Sequence, residues 1–170
     1  YRWQGPPSAE KYGAVGCIVR SVTSSLDTFP HTGVMRSDSL AAKIPSAAIS
    51  TKDAEFLHTL LDKEKSGVKF YLKMNCQWLP DVKSYNVIGE ILGSEHPDEV
   101  IVVGGHLDAW ELGDGAHDDG TGVTGACEAV RILKALGIRP KHTIRCVCFM
   151  NEENGGCGGK AYADSAALKK

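Results

Sequence analysis

The chain reads VIVVGGHLDAWELGDGAHDDGTG from Val100 to Gly122, and this stretch decides the fold. The apolar run Val100 to Val103 ends in two glycines. His106, Asp108, Asp114, His117, Asp118 and Asp119 then follow within fourteen positions. A strand that delivers imidazole and carboxylate groups into a loop ahead of a helix predicts a metal site at the strand's C-terminal end. A second edge of the same kind comes later, where the apolar run Cys146 to Met150 ends in Glu152 and Glu153.

Working outward, Val123, Cys127, Val130, Leu133 and Leu136 recur at helical spacing and predict a helix over about 120–136. Strands are predicted at 85–92, 100–105 and 144–150. The latter two are nearly continuous in apolar residues, the pattern of strands covered on both faces. Strand, helix, strand is the unit of a sheet with parallel pairs, so the two acidic edges fall on one side of it. A last helix is expected over about 159–169.

The first part of the chain has a different grammar. Residues 1–12 read as a loop with a short helix, 13–22 as a strand and 23–43 as a long Ser/Thr-rich loop. A short strand over 44–49 leads into a helix. Ser50 and Asp53 stand there at capping-box spacing, and Phe56, Leu57, Leu60 and Leu61 form an apolar stripe. Gly67 ends that helix. Val68, Phe70, Leu72 and Met74 alternate with polar residues, which predicts a half-buried strand. A domain boundary is expected between 76 and 77.

Composition narrows the function. With 42% hydrophobic residues the chain can bury a core, and 19 basic against 21 acidic residues argue against nucleic-acid binding as the main task. No apolar run approaches the roughly 20 residues of a membrane span. The six cysteines, Cys17, Cys76, Cys127, Cys146, Cys148 and Cys157, form no C-x-x-C pair. Neither a thiolate zinc site nor a disulfide scaffold is indicated. Cys146 and Cys148 read as small buried hydrophobes on one face of a central strand.

The acidic edges carry the chemistry. His106 and Asp108 are one residue apart and point the same way on an extended backbone, so a carboxylate stands beside a ligating imidazole. Asp118 comes twelve residues later, at the start of the helix. Its two oxygens allow it to bridge two ions. Glu152 and Glu153 are adjacent and diverge, so that one binds metal while the other serves as general base. A lone histidine at a strand end, or a lone Glu-Glu pair, is usually a solvated polar group. Their coincidence at two strand ends flanking one helix favours the metal. Gly155 to Lys160 (GGCGGK) lacks the spacing of a phosphate loop, and no H-E-x-x-H or G-x-S-x-G is present.

HLDAWELGDGAHDDGTG followed by MNEENGG resembles the two-zinc exopeptidases of the aminopeptidase and glutamate carboxypeptidase type. GAVGCIVRSV, PHTG and KIPSAAISTKDAE resemble the later part of the protease-associated domain inserted in one subgroup of that family. The resemblance implies an α/β fold. A partial zinc-exopeptidase-type mixed sheet flanked by helices (77–170) would follow part of a β-rich protease-associated domain (1–76). It implies His106, Asp118 and Glu153 as zinc ligands, with Asp118 bridging, Asp108 behind the histidine, and Glu152 as general base. The implied reaction is hydrolysis of peptides or dipeptides from a free end by a water bridging two zinc ions. The secretory pathway or lysosome is the implied location, and a homodimer is an assembly to test. The family pattern also holds an aspartate and a histidine for which nothing before Lys170 matches. The sequence is therefore expected to be an internal piece of a longer enzyme, inactive when isolated. The rival class is a non-catalytic homologue or interaction module that holds a partner through residues 1–75. Stoichiometric zinc and sensitivity to chelator separate the two.

Overall fold

A computed structural model of the chain describes residues 3–31, 44–77, 79–111 and 113–168. It divides into two compact units, Tyr1–Leu79 and Pro80–Lys170. Among the described residues, no helix is long and apolar enough to cross a membrane.

The first unit runs α1 (Gly5–Lys11), β1 (Cys17–Arg20), β2 (Ser46–Ile49) and α2 (Thr51–Lys63). Pro6 and Pro7 open α1, where a missing N–H costs no intrahelical bond. β1 and β2 pair in parallel, Cys17 opposite Ser46 and Arg20 opposite Ile49. The capping box forms as expected. Ser50 Oγ accepts from the Asp53 N–H at 3.0 Å and donates to the Asp53 carboxylate at 2.7 Å. Buried hydroxyls tie the loop after β1 to this sheet. Ser21 Oγ donates to the Ile49 carbonyl and accepts from His31 N–H, while Thr51 Oγ1 accepts from Asp27 N–H. Residues 32–43, which include most of the expected long loop and the end of PHTG, lie outside the described residues.

Two expectations for this unit are corrected. The strand over 13–22 shortens to Cys17–Arg20, the length that β2 can pair. Val68 to Met74 forms no strand, and Phe70 and Tyr71 are 54% and 84% exposed. Alternation makes a strand only where a neighbour takes up its backbone hydrogen bonds, and no strand among the described residues runs beside it.

The second unit runs β3 (Val87–Ile91), β4 (His96–His106), α3 (Gly120–Ala135), β5 (His142–Phe149) and α4 (Cys157–Ala167). Its sheet is mixed, in the order β3-β5-β4, with β4 and β5 parallel and β3 antiparallel to β5. β5 is the centre. Val147 is fully buried, and Cys146 and Cys148 are nearly so. Thr143, also buried, is satisfied by donating to the Pro97 carbonyl and accepting from Gly93 N–H. Tyr162 of α4 packs edge-on to Phe149, with ring centroids 5.7 Å apart.

The reading of β4 as covered on both faces does not hold among the described residues. Val100, Ile101 and Val102 remain 38–53% exposed, because β4 is an edge of the three-stranded sheet. What matters for the site is the parallel pairing. His106 lies opposite Phe149, so β4 and β5 end side by side and release their loops at the same edge.

Candidate metal centre

β4 ends in His106, and its ring is fixed by local chemistry. Nδ1 lies 2.9 Å from the carbonyl oxygen of Asp108. A carbonyl only accepts, so Nδ1 carries the proton and Nε2 presents its lone pair. Nε2 faces Asp118 Oδ1 at 3.0 Å and Glu152 Oε2 at 3.8 Å. Two acceptors facing each other at that distance call for a proton or a cation between them. His106 is held above its ordinary value of 6.5. Burial pushes it down, but the Asp108 carbonyl and the charges of Glu152, Asp119 and Asp108 outweigh burial.

The loop before α3 brings in Asp118, whose side chain is 75% exposed and open to the site's mouth. The Asp118–Asp119 peptide is cis. Asp119 caps α3: its Oδ1 accepts from Gly122 N–H at 3.0 Å and its Oδ2 from His106 N–H at 3.0 Å. One carboxylate thereby ties the helix start to the end of β4. Gly105 makes the approach feasible, because a Cβ there would sit 2.5 Å from Asp119 Oδ2 and 2.7 Å from Val123 N.

β5 delivers the acids from its own edge. Asn151, at φ 68°, turns the chain, and its carbonyl accepts from Gly156 N–H. The turn exposes the N–H groups of Glu152 and Glu153, and Asp108 accepts both at 3.0 Å, one on each oxygen. Burial pushes the Asp108 carboxyl up, but these two hydrogen bonds prevail and hold it below its ordinary 3.8. Asn86, just before β3, locks the other side. Its Oδ1 accepts from Met150 N–H and its Nδ2 donates to the Gly158 carbonyl.

All five residues expected from the sequence therefore meet. Ligand atoms of His106, Asp118 and Glu153 lie within 4.8 Å of one another. Glu153 Oε1 is buried with no hydrogen-bond partner, and burial, then the charge of Asp118, raises this carboxyl above its ordinary 4.5. A carboxylate with an orphaned buried oxygen, grouped with a histidine nitrogen and a second carboxylate, fits a divalent cation. Imidazole nitrogen with carboxylate oxygen is a donor set that zinc accepts. A cavity of about 220 Å³ beside His106 and Glu152 is walled by Phe149 and Met150. Asp119 and Asn86 are the positioning residues that sequence reasoning missed. For Asp119, the available signal was an aspartate directly before a helix.

The model of peptidase family M28 matches residues 86–170. Carboxypeptidase Q of Xenopus laevis is 43% identical over 164 residues, covering 95% of this chain and 34% of that protein. The human carboxypeptidase Q is 42% identical with the same coverage. The crystal structure of a peptidase M28 precursor from Shewanella amazonensis SB2B superposes with a TM-score of 0.81 at 36% identity, covering 98% of this chain and 37% of that one. The chain belongs to peptidase family M28. The exopeptidase resemblance read from the sequence is borne out at the level of the family, and the curated relatives named here are carboxypeptidase Q. The chain spans about a third of the length of the curated relatives it matches.

Proposed function

We propose that this protein is a zinc-dependent exopeptidase that hydrolyses peptides or dipeptides from a free end, with Glu152 as general base. The observation that carries the reading is the donor set itself: His106 Nε2 and Asp118 Oδ1 at 3.0 Å, grouped with the Glu153 carboxylate, whose Oε1 is buried and unpartnered. His106, Asp118 and Glu153 would hold the metal, and the exposed Asp118 has a second oxygen to offer a second ion. Zinc, when bound, polarises the scissile carbonyl and acidifies a water molecule.

The chain's own groups do the rest. Glu152, at the mouth with its side chain 59% exposed, takes a proton from the attacking water and gives it to the leaving amine. Asp108 holds the backbone of both glutamates, so Glu152 and Glu153 keep their divergent directions. Through its carbonyl, the same residue fixes the His106 tautomer.

Residues 1–76 are read as the later part of a protease-associated domain, and 77–170 as the N-terminal and central part of the peptidase domain. The division of the described chain at Leu79 supports that reading. A secretory or lysosomal location and a homodimer are proposed from the exopeptidase resemblance of the sequence motifs. The test is to assay the full-length protein on a panel of dipeptides, remove metal with chelator, and restore zinc. Hydrolysis should vanish and return. Turnover indifferent to chelator, or a folded protein that never takes up zinc, would favour the interaction-module reading.

A further inference from the structure

Three thiols meet in the second unit, away from the carboxylates. Cys146 and Cys148 stand two positions apart on β5 and share a face. Cys127 comes from α3. Its Sγ is 3.7 Å from Cys146 Sγ and 3.9 Å from Cys148 Sγ, and all three sulfurs lie within 4.8 Å of one another. None is in a disulfide. Cys146 and Cys148 are 5% and 6% exposed, while Cys127 is open to solvent.

These distances are those of a metal's ligand shell. Thiolates about 2.3 Å from a central ion space their sulfurs about 4.0 Å apart in a trigonal set and about 3.8 Å apart in a tetrahedral one. A disulfide, with sulfurs about 2.05 Å apart, would use two of the three and draw them well inside their present spacing. Access exists as well. An open cleft of about 450 Å³, lined by Val87, Ile91 and Val130 among others, reaches all three cysteines.

The environment selects the ion. A donor set made of three sulfurs favours ions with the strongest preference for thiolate over oxygen. The charged residues that line the cleft, Glu90, Arg131 and Lys134, are exposed to solvent.

We propose that Cys127, Cys146 and Cys148 form a trithiolate site for one soft d10 cation of the Cu(I) or Cd(II) type, separate from the His106–Asp118–Glu153 centre. Each ligating thiol releases its proton to solvent as its sulfur–metal bond forms, and no electron is transferred. The bound ion links α3 to β5.

The probe is Cd(II), titrated anaerobically into the reduced full-length protein. Native mass spectrometry gives stoichiometry, and ultraviolet sulfur-to-metal charge transfer reports thiolate ligation specifically. Wild type should take one ion beyond those held by the carboxylate centre, and that ion should give a charge-transfer band. Cys127→Ser should abolish the band, and Cys76→Ser should leave it unchanged. His106→Ala should keep the band while weakening the carboxylate centre, which makes failure here distinguishable from failure of the peptidase reading. Cys148→Ala gives the same reading if Cys127→Ser does not fold. A band that survives both variants, no band in wild type, or a Cys127 disulfide that leaves no Cd(II) binding after reduction would overturn the proposal.

Discussion

Asp119 is where the helix, the strand and the candidate centre depend on one side chain. Asp119→Ala removes two hydrogen bonds at once: the cap to Gly122 N–H and the tie to His106 N–H, each 3.0 Å long. Loss of an N-cap costs about 1 kcal/mol, in a range of roughly 0.5–2. A hydrogen bond to a charged acceptor contributes about 1.5–3 kcal/mol. The expected destabilisation is therefore about 2–5 kcal/mol, a large part of the roughly 5–15 kcal/mol of an ordinary domain. Asp119→Asn keeps one acceptor oxygen of the two and should lose about half as much. Urea denaturation read as a midpoint shift at unchanged slope measures both variants. Zinc affinity should fall in the same order, alanine more than asparagine, because the His106 backbone is released. An alanine variant within about 0.5 kcal/mol of wild type, the scatter of neutral surface changes, would refute the reasoning. So would an asparagine variant as damaged as the alanine.

Two further outcomes follow from the geometry. Asp118→Ala should reduce bound zinc at both positions of the proposed pair, measured by elemental mass spectrometry, and retention of two ions per chain would contradict a bridging role. Cys146, with its thiol raised to about 12 first by burial and then by the Cys127 contact, stays protonated until the pH nears that value. In the reduced, metal-free folded protein at about pH 8, iodoacetamide should modify the exposed Cys76 and Cys157 and spare Cys146. Peptide mapping would expose the error if Cys146 reacted as fast as Cys76.

The parts of the fold legible in the sequence are those where several local signals agree. β4, α3 and β5 combine apolar runs, glycine punctuation and a 3.6-residue stripe, and each forms within a few residues of its expected bounds. The five candidate residues were legible because parallel strands must end at one edge, so acids written after two such strands converge. Val68 to Met74 misled because alternation describes a side-chain pattern and says nothing of a hydrogen-bonding neighbour. The exposure of β4 depends on strand order, which no local pattern encodes. Asp119 was hidden beside Asp118, since adjacent aspartates look alike until the helix start decides which oxygen caps it. The thiol cluster was hidden for a related reason. Cys127 reaches the other two only through the packing of α3 on β5, nineteen and twenty-one residues along the chain.

Glu152 and Glu153 have opposite roles in the proposed reaction, and a paired substitution in the full-length protein separates them. Metal content and dipeptide turnover are measured together for Glu152→Gln and Glu153→Gln. Glu152→Gln should keep its zinc and its fold while turnover falls by about 10²–10⁴, the scale of lost general acid–base help. Glu153→Gln should lose zinc first, with activity following. Near-normal turnover or loss of zinc in Glu152→Gln, or full zinc retention in Glu153→Gln, would contradict the assignment.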